Sequence, residues 1–215
     1  GQVQQANNPL KDQCDAVSKI SKAALQLKHL NLSHNHIGDS SYVLADSMKY
    51  FTSLEYLGLE NIDLDESHFK VLGPALSHLV HLTWITLLGN CIGSSLEAIT
   101  RGINHCKLTE LDLTSMELDD TSNDALSCIC IPTLVILNLS KANITSHGAE
   151  ALSKSLPHMP ALKELQLYGN KIGSHGMVSL TRCIIAVHTR TYKHSFVSQQ
   201  HWVRFRWCHS PAVRI

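Results

Sequence analysis

Side chains suited to non-covalent recognition recur along this chain at related spacings. The apolar ones are Tyr56, Trp84, Leu88, Ile136 and Tyr168. Four carboxylates occupy comparable positions: Glu60, Glu110, Asp112 and Glu164. Aromatic anchors with charged surroundings are typical of protein interfaces, whereas the competing interpretation is a set of scattered apolar surface residues. The carboxylates predict a basic partner surface, or the basic C-terminal segment of this same chain.

Catalytic and metal-binding chemistry is not expected. The chain has 14 histidines and seven cysteines, but Cys128-Ile129-Cys130 lacks a second ligand pair at zinc spacing. Solvated histidines and reduced, mostly buried cysteines are therefore favoured. The sequence contains no G-x-S-x-G nucleophile elbow and no G-x-x-x-x-G-K-[ST] phosphate loop. We expect no enzyme activity, no cofactor, no metal site and no small-molecule substrate.

The recognition residues belong to a repeated frame, L-x-x-L-x-L-x-x-N-x-L. Six copies start 26–28 residues apart, at Leu27, Leu54, Leu82, Leu108, Leu134 and Leu162. This period lies within the range of leucine-rich repeats. The third, fifth and seventh residues of each copy are expected to point outward from a strand.

Each repeat combines a strand pattern with a helix pattern. The leucine core alternates apolar and polar residues, and the following stretch changes to helical spacing, as in the pairs Leu72 with Leu76 and Leu152 with Leu156. One such unit cannot bury its apolar faces alone, so several must stack. The predicted fold is an α/β leucine-rich-repeat solenoid, a horseshoe with parallel strands on the concave face and helices on the convex face.

Asparagines mark the turn after the strand in three of the repeats. Asn35, Asn90 and Asn170 are expected to bond backbone groups that would otherwise be buried without partners. The equivalent positions in the other repeats hold Ile62, Met116 and Ala142. Those turns must satisfy their backbone groups in another way.

Three segments are predicted. Residues 1–26 form an N-terminal helix or the end of a preceding repeat, which together with Gly1 indicates a fragment of a longer array. Residues 27–187 hold the six repeats, and residues 188–215 form an atypical tail. The tail is part of a charge asymmetry, because residues 165–215 contain seven Lys and Arg and none of the 18 acidic residues.

The tail allows three interpretations at this point. It contains His201-Trp202-Val203-Arg204-Phe205-Arg206-Trp207 and lacks the repeat frame. It is an end unrelated to the repeats, a disordered or poorly ordered cap, or a basic arm that binds nucleic acid or acidic lipid. No transmembrane segment and no signal peptide are visible, which favours a cytoplasmic location.

The repeats over roughly residues 11–187 resemble the ribonuclease-inhibitor-like class of leucine-rich repeats. The stretch Leu162-Lys-Glu-Leu-Gln-Leu-Tyr-Gly-Asn-Lys-Ile-Gly is most similar to repeats of NOD-like receptors, the NACHT-domain proteins of innate immunity. In those receptors such repeats form a C-terminal ligand-sensing or autoinhibitory array. The resemblance therefore implies a module that binds a protein partner on its concave face.

A second interpretation is a regulator of an enzyme, similar to ribonuclease inhibitors or to Ran GTPase activators. The acidic concave positions fit an inhibitor of a basic ribonuclease. Ribonuclease inhibitors generally use a longer horseshoe with more cysteines. A Ran GTPase activator would carry an acidic C-terminal tract, whereas this C-terminal segment is basic.

Overall fold

The strands of this protein form one parallel sheet in chain order. A computed structural model describes residues 25–116, 118, 120–194 and 204–205. Most of the segment predicted at residues 1–26, an N-terminal helix or the end of a preceding repeat, lies outside these ranges, and Leu25 and Gln26 form a turn. The strands are β1 (His29–Asn31), β2 (Tyr56–Gly58), β3 (Trp84–Thr86), β4 (Glu110–Asp112), β5 (Ile136–Asn138), β6 (Glu164–Gln166) and β7 (Arg204–Phe205).

A helix follows each of the first six strands. The helices are α1 (Ser41–Met48), α2 (Glu66–Ala75), α3 (Leu96–Ile103), α4 (Asp120–Ala125), α5 (Ser146–Ser155) and α6 (Gly173–His194). Short 3-10 turns precede α1 and α3 and follow α2, α4 and α5. The predicted α/β solenoid of alternating strands and helices is confirmed. We call the sheet face that carries the third and fifth frame positions the concave face.

The core is a continuous stack of frame leucines between the sheet and the helices. Leu57, Ile85, Leu111 and Leu137 are direct partners in the parallel register. Each of these four residues is at most 1% exposed. Burying one such side chain contributes about 1.5–3 kcal/mol, so every repeat is stabilised by its neighbours.

Two glycines let α2 and α3 touch backbone to backbone. A methyl group added at Gly73 would lie 2.6 Å from the carbonyl carbon of Ala98, and one added at Gly102 would overlap the carbonyl oxygen of Gly73. The frame predicts both helices, but it does not predict this close approach. The spacing between α2 and α3 depends on these glycines.

The turn asparagines serve the preceding repeat as well as their own. Asn90 Nδ2 donates to Leu59 O at 2.6 Å and to Leu87 O at 2.8 Å. Its Oδ1 accepts from the amides of Ile62 and Leu64, both at 3.3 Å. The second repeat, which has Ile62 in place of Asn, therefore has its turn satisfied by the third.

The same arrangement links the last two repeats of the predicted frame. Asn170 Nδ2 donates to Leu139 O at 2.7 Å, and Asn170 Oδ1 accepts from Ile144 N at 3.0 Å. Where the next repeat lacks Asn at the ninth frame position, the backbone carbonyl of the residue there accepts the bond from the turn amide of the preceding repeat. Leu118 N bonds to Ala142 O at 3.1 Å, and Ile37 N bonds to Ile62 O at 3.3 Å. The turn chemistry of each repeat is thus determined by its successor.

The helix starts differ in whether a side chain caps them. Asp65 caps α2 and accepts from the amides of Ser67 and His68. Thr145 caps α5 through Gly148 N at 3.4 Å. Ser40 and Ser95 make no side-chain cap bond, because 3-10 turns lead into α1 and α3.

The end of the array departs from the regular repeat length. Helix α6 continues to His194, beyond the boundary at residue 187 that the frame suggests. Strand β7 then pairs with β6, and the partners are Glu164 with Arg204 and Leu165 with Phe205. Residues 195–203 and 206–215 lie outside the described part of the chain.

Candidate interaction surface

The third frame positions line up as one row across the sheet. The parallel register joins the members in order: His29, Tyr56, Trp84, Glu110, Ile136 and Glu164. Side chains at paired positions of a parallel sheet share one face and lie about 4.8 Å apart along the hydrogen-bonding direction. Five of the predicted interface residues and carboxylates therefore become neighbours in the row although successive members are 26–28 residues apart in sequence.

Aromatic rings form a contiguous ladder at the start of this row. The ring centroids of Tyr56 and Trp84 are 5.3 Å apart with a T-shaped interplanar angle of 74°. His29 extends the ladder, with its ring centroid 6.0 Å from that of Tyr56. Trp84 is 46% exposed, so its ring is fixed on one edge and open to solvent elsewhere.

Gly58 provides the space in which the ladder lies. A methyl group added at Gly58 would lie 2.9 Å from the hydroxyl oxygen of Tyr56 and would also overlap the amide oxygen of Asn31. Both side chains therefore lean over the glycine on the concave face. His29 and Gly58 were not among the predicted site residues, because neither residue type signals an interface on its own.

The carboxylates lie beside and beyond the ladder. Glu110 is the register partner of Trp84, and Asp112 is the partner of Thr86. Asp112 Oδ1 accepts from Thr114 N at 2.9 Å, and Glu164 Oε1 accepts from Gln166 Nε2 at 2.9 Å. Among the side chains that the structure describes, which exclude that of Arg204, no Lys, Arg or His nitrogen lies within 4 Å of the Glu110, Asp112 or Glu164 carboxylate oxygens.

Glu60 differs from the other three carboxylates. It lies 3.9 Å from His34 Nε2 and 3.4 Å from Asn61 Nδ2, at the turn edge of the sheet. It is half-buried, and its backbone amide donates to Ser33 Oγ at 3.1 Å. The structure therefore places Glu60 at the rim of the concave face.

The predicted apolar residues do not form one continuous streak. Tyr56 and Trp84 touch, and Leu88 is on the same repeat as Trp84. Ile136 is half-buried and lies between Glu110 and Glu164 in the third row. Tyr168 is 49% exposed on the sixth repeat. Ring contacts thus join His29, Tyr56 and Trp84, whereas Tyr168 lies four repeats further along the chain than Tyr56.

Two threonines add polar groups that the sequence gave no reason to select. Thr86 Oγ1 and Thr114 Oγ1 are buried without a hydrogen-bond partner in the described part of the chain. Thr86 follows Trp84 on β3, and Thr114 follows Asp112 after β4. Threonine is common in strands, so only the structure distinguishes these two threonines from the others.

Burial raises the pKa of three thiols in the described part of the chain. Burial raises the pKa of Cys106 to about 12. Burial also raises the pKa of Cys183. The pKa of Cys130 is raised mainly by burial and in smaller part by the charge of the neighbouring Cys128. These three thiols are protonated at neutral pH, so they are poor nucleophiles and poor metal ligands.

Histidines pair with single carboxylates in this structure. His147 Nε2 lies 2.7 Å from Asp124 Oδ1, and His36 Nδ1 contacts Asp63. The part of the chain that the structure describes contains no group of three or more His, Cys, Asp or Glu residues arranged for a metal ion. In the same residues, no helix has both the length and the apolar character needed to span a membrane.

Comparison with known sequences supports the repeat class. A family model described as "Leucine Rich repeat" matches residues 26–41 and 131–153. Both matches coincide with frame copies whose strands pair in parallel register. The chain is a leucine-rich-repeat solenoid. An internalin structure from Listeria monocytogenes aligns with 77% of this chain and 48% of its own, at a TM-score of 0.47 and 20% identity.

Relatives of this leucine-rich-repeat chain include proteins of different kinds. Tonsoku-like protein from Mus musculus is 29% identical over 191 residues, which cover 82% of this chain and 14% of that protein. "NACHT, LRR and PYD domains-containing protein 3" from Homo sapiens is 26% identical over 170 residues, which cover 77% of this chain and 14% of that protein. Ribonuclease inhibitor from Sus scrofa is 28% identical over 174 residues, which cover 76% of this chain and 31% of that protein. The chain thus spans less than a third of each relative.

Proposed function

We propose that this leucine-rich-repeat chain is a protein-interaction module that binds its partner on the concave face. The observation that carries the proposal is the exposed Trp84 ring, held edge-on by Tyr56 and placed beside Glu110 in the register. A rigid aromatic anchor loses little conformational entropy on binding and buries a large apolar area. Interface hot spots are enriched in such residues.

The charge of the surface favours a basic partner. Glu110, Asp112 and Glu164 have no basic group within 4 Å among the side chains that the structure describes. A Lys or Arg of the partner can pair with these carboxylates while apolar groups cover Trp84. Such pairing accelerates association and selects against acidic proteins, and it weakens as salt rises.

The finer identity that we propose is the ligand-sensing or autoinhibitory repeat region of a NOD-like-receptor-type innate immune protein. The resemblance of the Leu162 repeat to those receptors supports it, as does the 26% identity to "NACHT, LRR and PYD domains-containing protein 3". The chain covers 14% of that relative, so the proposal concerns the repeat region and not the activity of a whole receptor.

The acidic concave residues also favour a second candidate, a ribonuclease-inhibitor-like or Ran-GTPase-activator-like regulator. Ribonuclease inhibitor from Sus scrofa is 28% identical to this chain. A direct inhibition assay with a basic pancreatic-type ribonuclease separates the two candidates. If the chain inhibits the ribonuclease and Glu110→Lys abolishes the inhibition, the regulator is supported. If ribonuclease activity is unaltered at micromolar concentrations of the chain, the receptor-type module is supported.

The first prediction concerns the aromatic ladder. We expect the double variant Trp84→Ala and Tyr56→Ala to weaken partner binding by about 2–4 kcal/mol, because truncation removes the central anchor. The measurement is quantitative affinity purification from cell extract, with the wild-type chain and the variant as parallel baits. A protein captured by the wild type should be depleted strongly in the variant.

The convex surface supplies a matched control. Tyr42 on α1 is 60% exposed and Val71 on α2 is 48% exposed, so Tyr42→Ala with Val71→Ala removes comparable apolar groups from the helical side. This control variant should capture the same proteins as the wild type. Equal capture by both variants, or loss of capture only in the convex variant, would refute the concave assignment.

A further inference from the structure

The carboxylates of this chain divide into two groups by their ionic partners. Nine of those whose side chains the structure describes lie within 4 Å of a Lys, Arg or His nitrogen. The three described carboxylates without such a partner are Glu110, Asp112 and Glu164, and each occupies a third or fifth frame position. In the described part of the array, carboxylates without a basic partner are therefore confined to the concave face.

The six repeats supply no Lys or Arg to compensate these charges from the outward frame positions. Their third, fifth and seventh positions hold four acidic residues, Glu60 included, and neither Lys nor Arg. Glu110 and Asp112 are two residues apart on β4, so their side chains share one face and are separated by roughly 7 Å. Two like charges at this distance repel each other, and a cation placed near both is attracted by both.

The two carboxylates on β4 differ in how far their own chain already uses them. Asp112 Oδ1 accepts from Thr114 N at 2.9 Å, and Asp112 Oδ2 lies 3.5 Å from Asn138 Nδ2. Glu110 is half-buried, and its carboxylate makes no hydrogen bond or ion pair with any side chain that the structure describes. Glu110 is therefore available as an acceptor for a ligand, and Asp112 adds a fixed negative charge beside it.

The exposed indole ring of Trp84 lies next to this available carboxylate. Trp84 and Glu110 are register partners on β3 and β4, so their backbones are about 4.8 Å apart. The T-shaped contact with Tyr56 occupies one side of the ring, and 46% of Trp84 stays exposed. A cation over the face of an indole ring is attracted by the ring quadrupole. One cationic group can therefore contact the Trp84 ring and the Glu110 carboxylate together.

A guanidinium group fits this pair of side chains better than an ammonium group does. It is planar and weakly hydrated, so it stacks on an aromatic ring while it donates two parallel hydrogen bonds to a carboxylate. A lysine ammonium is a strongly hydrated point charge that cannot do both. We propose that the concave face binds an arginine side chain of the partner protein, which stacks on Trp84 and pairs with Glu110. This inference rests on the proposed concave interface and names the group that the interface recognises.

The test compares octapeptides in which glycine alternates with arginine, with lysine or with citrulline. Citrulline keeps the shape of arginine without its charge, and lysine keeps the charge without the planar group. Each peptide is titrated into the full chain, and NMR follows the indole N–H resonance of Trp84, assigned by its loss in Trp84→Phe. The arginine peptide should shift this resonance and bind about tenfold more tightly than the other two, because only arginine both stacks on the ring and pairs with the carboxylate.

Two charge-neutralising variants locate the bound cation. Glu110→Gln keeps the size of the side chain and removes its charge, so the affinity for the arginine peptide should fall about fivefold or more. Glu150→Gln on α5 is the matched control, because it removes one carboxylate, which lies 3.6 Å from Lys154 Nζ, from the helical side of the array. This control variant should bind the arginine peptide as the wild-type chain does.

Several outcomes would overturn the arginine site. Equal affinity for the arginine and lysine peptides identifies a surface that attracts any cation, and equal affinity for the citrulline peptide identifies an apolar contact. An unshifted Trp84 resonance at millimolar arginine peptide, or unchanged affinity in Glu110→Gln, also rejects the site.

The concave interface itself is tested separately. If the arginine site fails while Trp84→Ala with Tyr56→Ala still loses the captured partner, the interface stands and only the recognised group is wrong. If that double variant captures the partner as the wild type does, the interface fails whatever the peptides do. The two failures are therefore distinguishable.

Discussion

At the scale of single residues, the turn asparagines are connectors between repeats. Asn90 is 5% exposed and bonds five backbone groups, three of which belong to Leu59, Ile62 and Leu64 of the preceding repeat. Because both its amide and its carbonyl oxygen are used, neither water nor another side chain can replace it easily. Loss of this side chain leaves buried donors and acceptors without partners.

We expect Asn90→Ala to lower the free energy of unfolding by roughly 2–4 kcal/mol, since buried backbone groups lose their partners. Urea denaturation followed by circular dichroism measures this change. Asn35→Ala is the matched control, because in the described part of the chain half-buried Asn35 bonds Leu32 O and Ser33 O of its own turn and no other repeat. Equal losses in the two variants would show that the link between repeats is not what stabilises the turn.

The turn asparagines also show what the frame could predict. Their structural role follows from the consensus spacing and from the need to pair buried backbone groups. The identity of the served turn does not follow, because it depends on how far Asn90 reaches across the stack. For the same reason the sequence could not show that Ile62 and Ala142 occupy turns satisfied by the next repeat.

At the scale of elements, the start of α2 links charge to helix stability. The Ser67 hydroxyl, which donates to Asp65 Oδ1 at 2.6 Å, and the backbone amide of His68 lower the pKa of the Asp65 carboxyl. His68 Nδ1 accepts from the Asp65 amide at 3.1 Å, which completes a capping box. A group whose pKa is lowered on folding adds stability above its unfolded pKa and loses it as pH falls through the folded value.

We expect Asp65→Ala to destabilise the chain by about 0.5–2 kcal/mol near neutral pH, because the N-cap is lost. The difference from wild type should shrink below about pH 4, where the wild-type carboxyl takes up its proton. Chemical denaturation at a series of pH values measures the gap. Asp46→Ala, which removes an exposed carboxylate paired with Lys49 at 2.5 Å, should change stability by less than about 0.5 kcal/mol at every pH. A gap for Asp65→Ala that stays constant down to pH 2 would contradict the cap.

The elements themselves were largely predictable, and their contacts were not. Alternation around the frame leucines predicts the first six strands, and four-residue spacing predicts the helices that follow. The backbone contact of Gly73 with α3 and the 3-10 turns before α1 and α3 arise from packing between repeats. A single repeat read in isolation carries no signal for them.

At the scale of the whole molecule, stacking converts a sequence period into surface rows. The frame predicts that Tyr56, Trp84 and Glu110 lie outward, and the register makes them neighbours. It does not predict that Gly58 opens the space for the aromatic ladder. That fact depends on side-chain packing across strands, and the interface role of these residues is a proposal that binding experiments must decide.

The measurement that tests the concave interface most directly is hydroxyl-radical footprinting of the full chain, with and without its captured partner. Trp84 and Tyr42 are both strongly exposed, at 46% and 60%, and lie on opposite sides of the array. Our account predicts that the partner slows oxidation of Trp84 and Tyr56 several-fold and leaves Tyr42 on α1 unchanged. Protection of Tyr42 with unaltered oxidation of Trp84 would contradict it and place the interface on the helices.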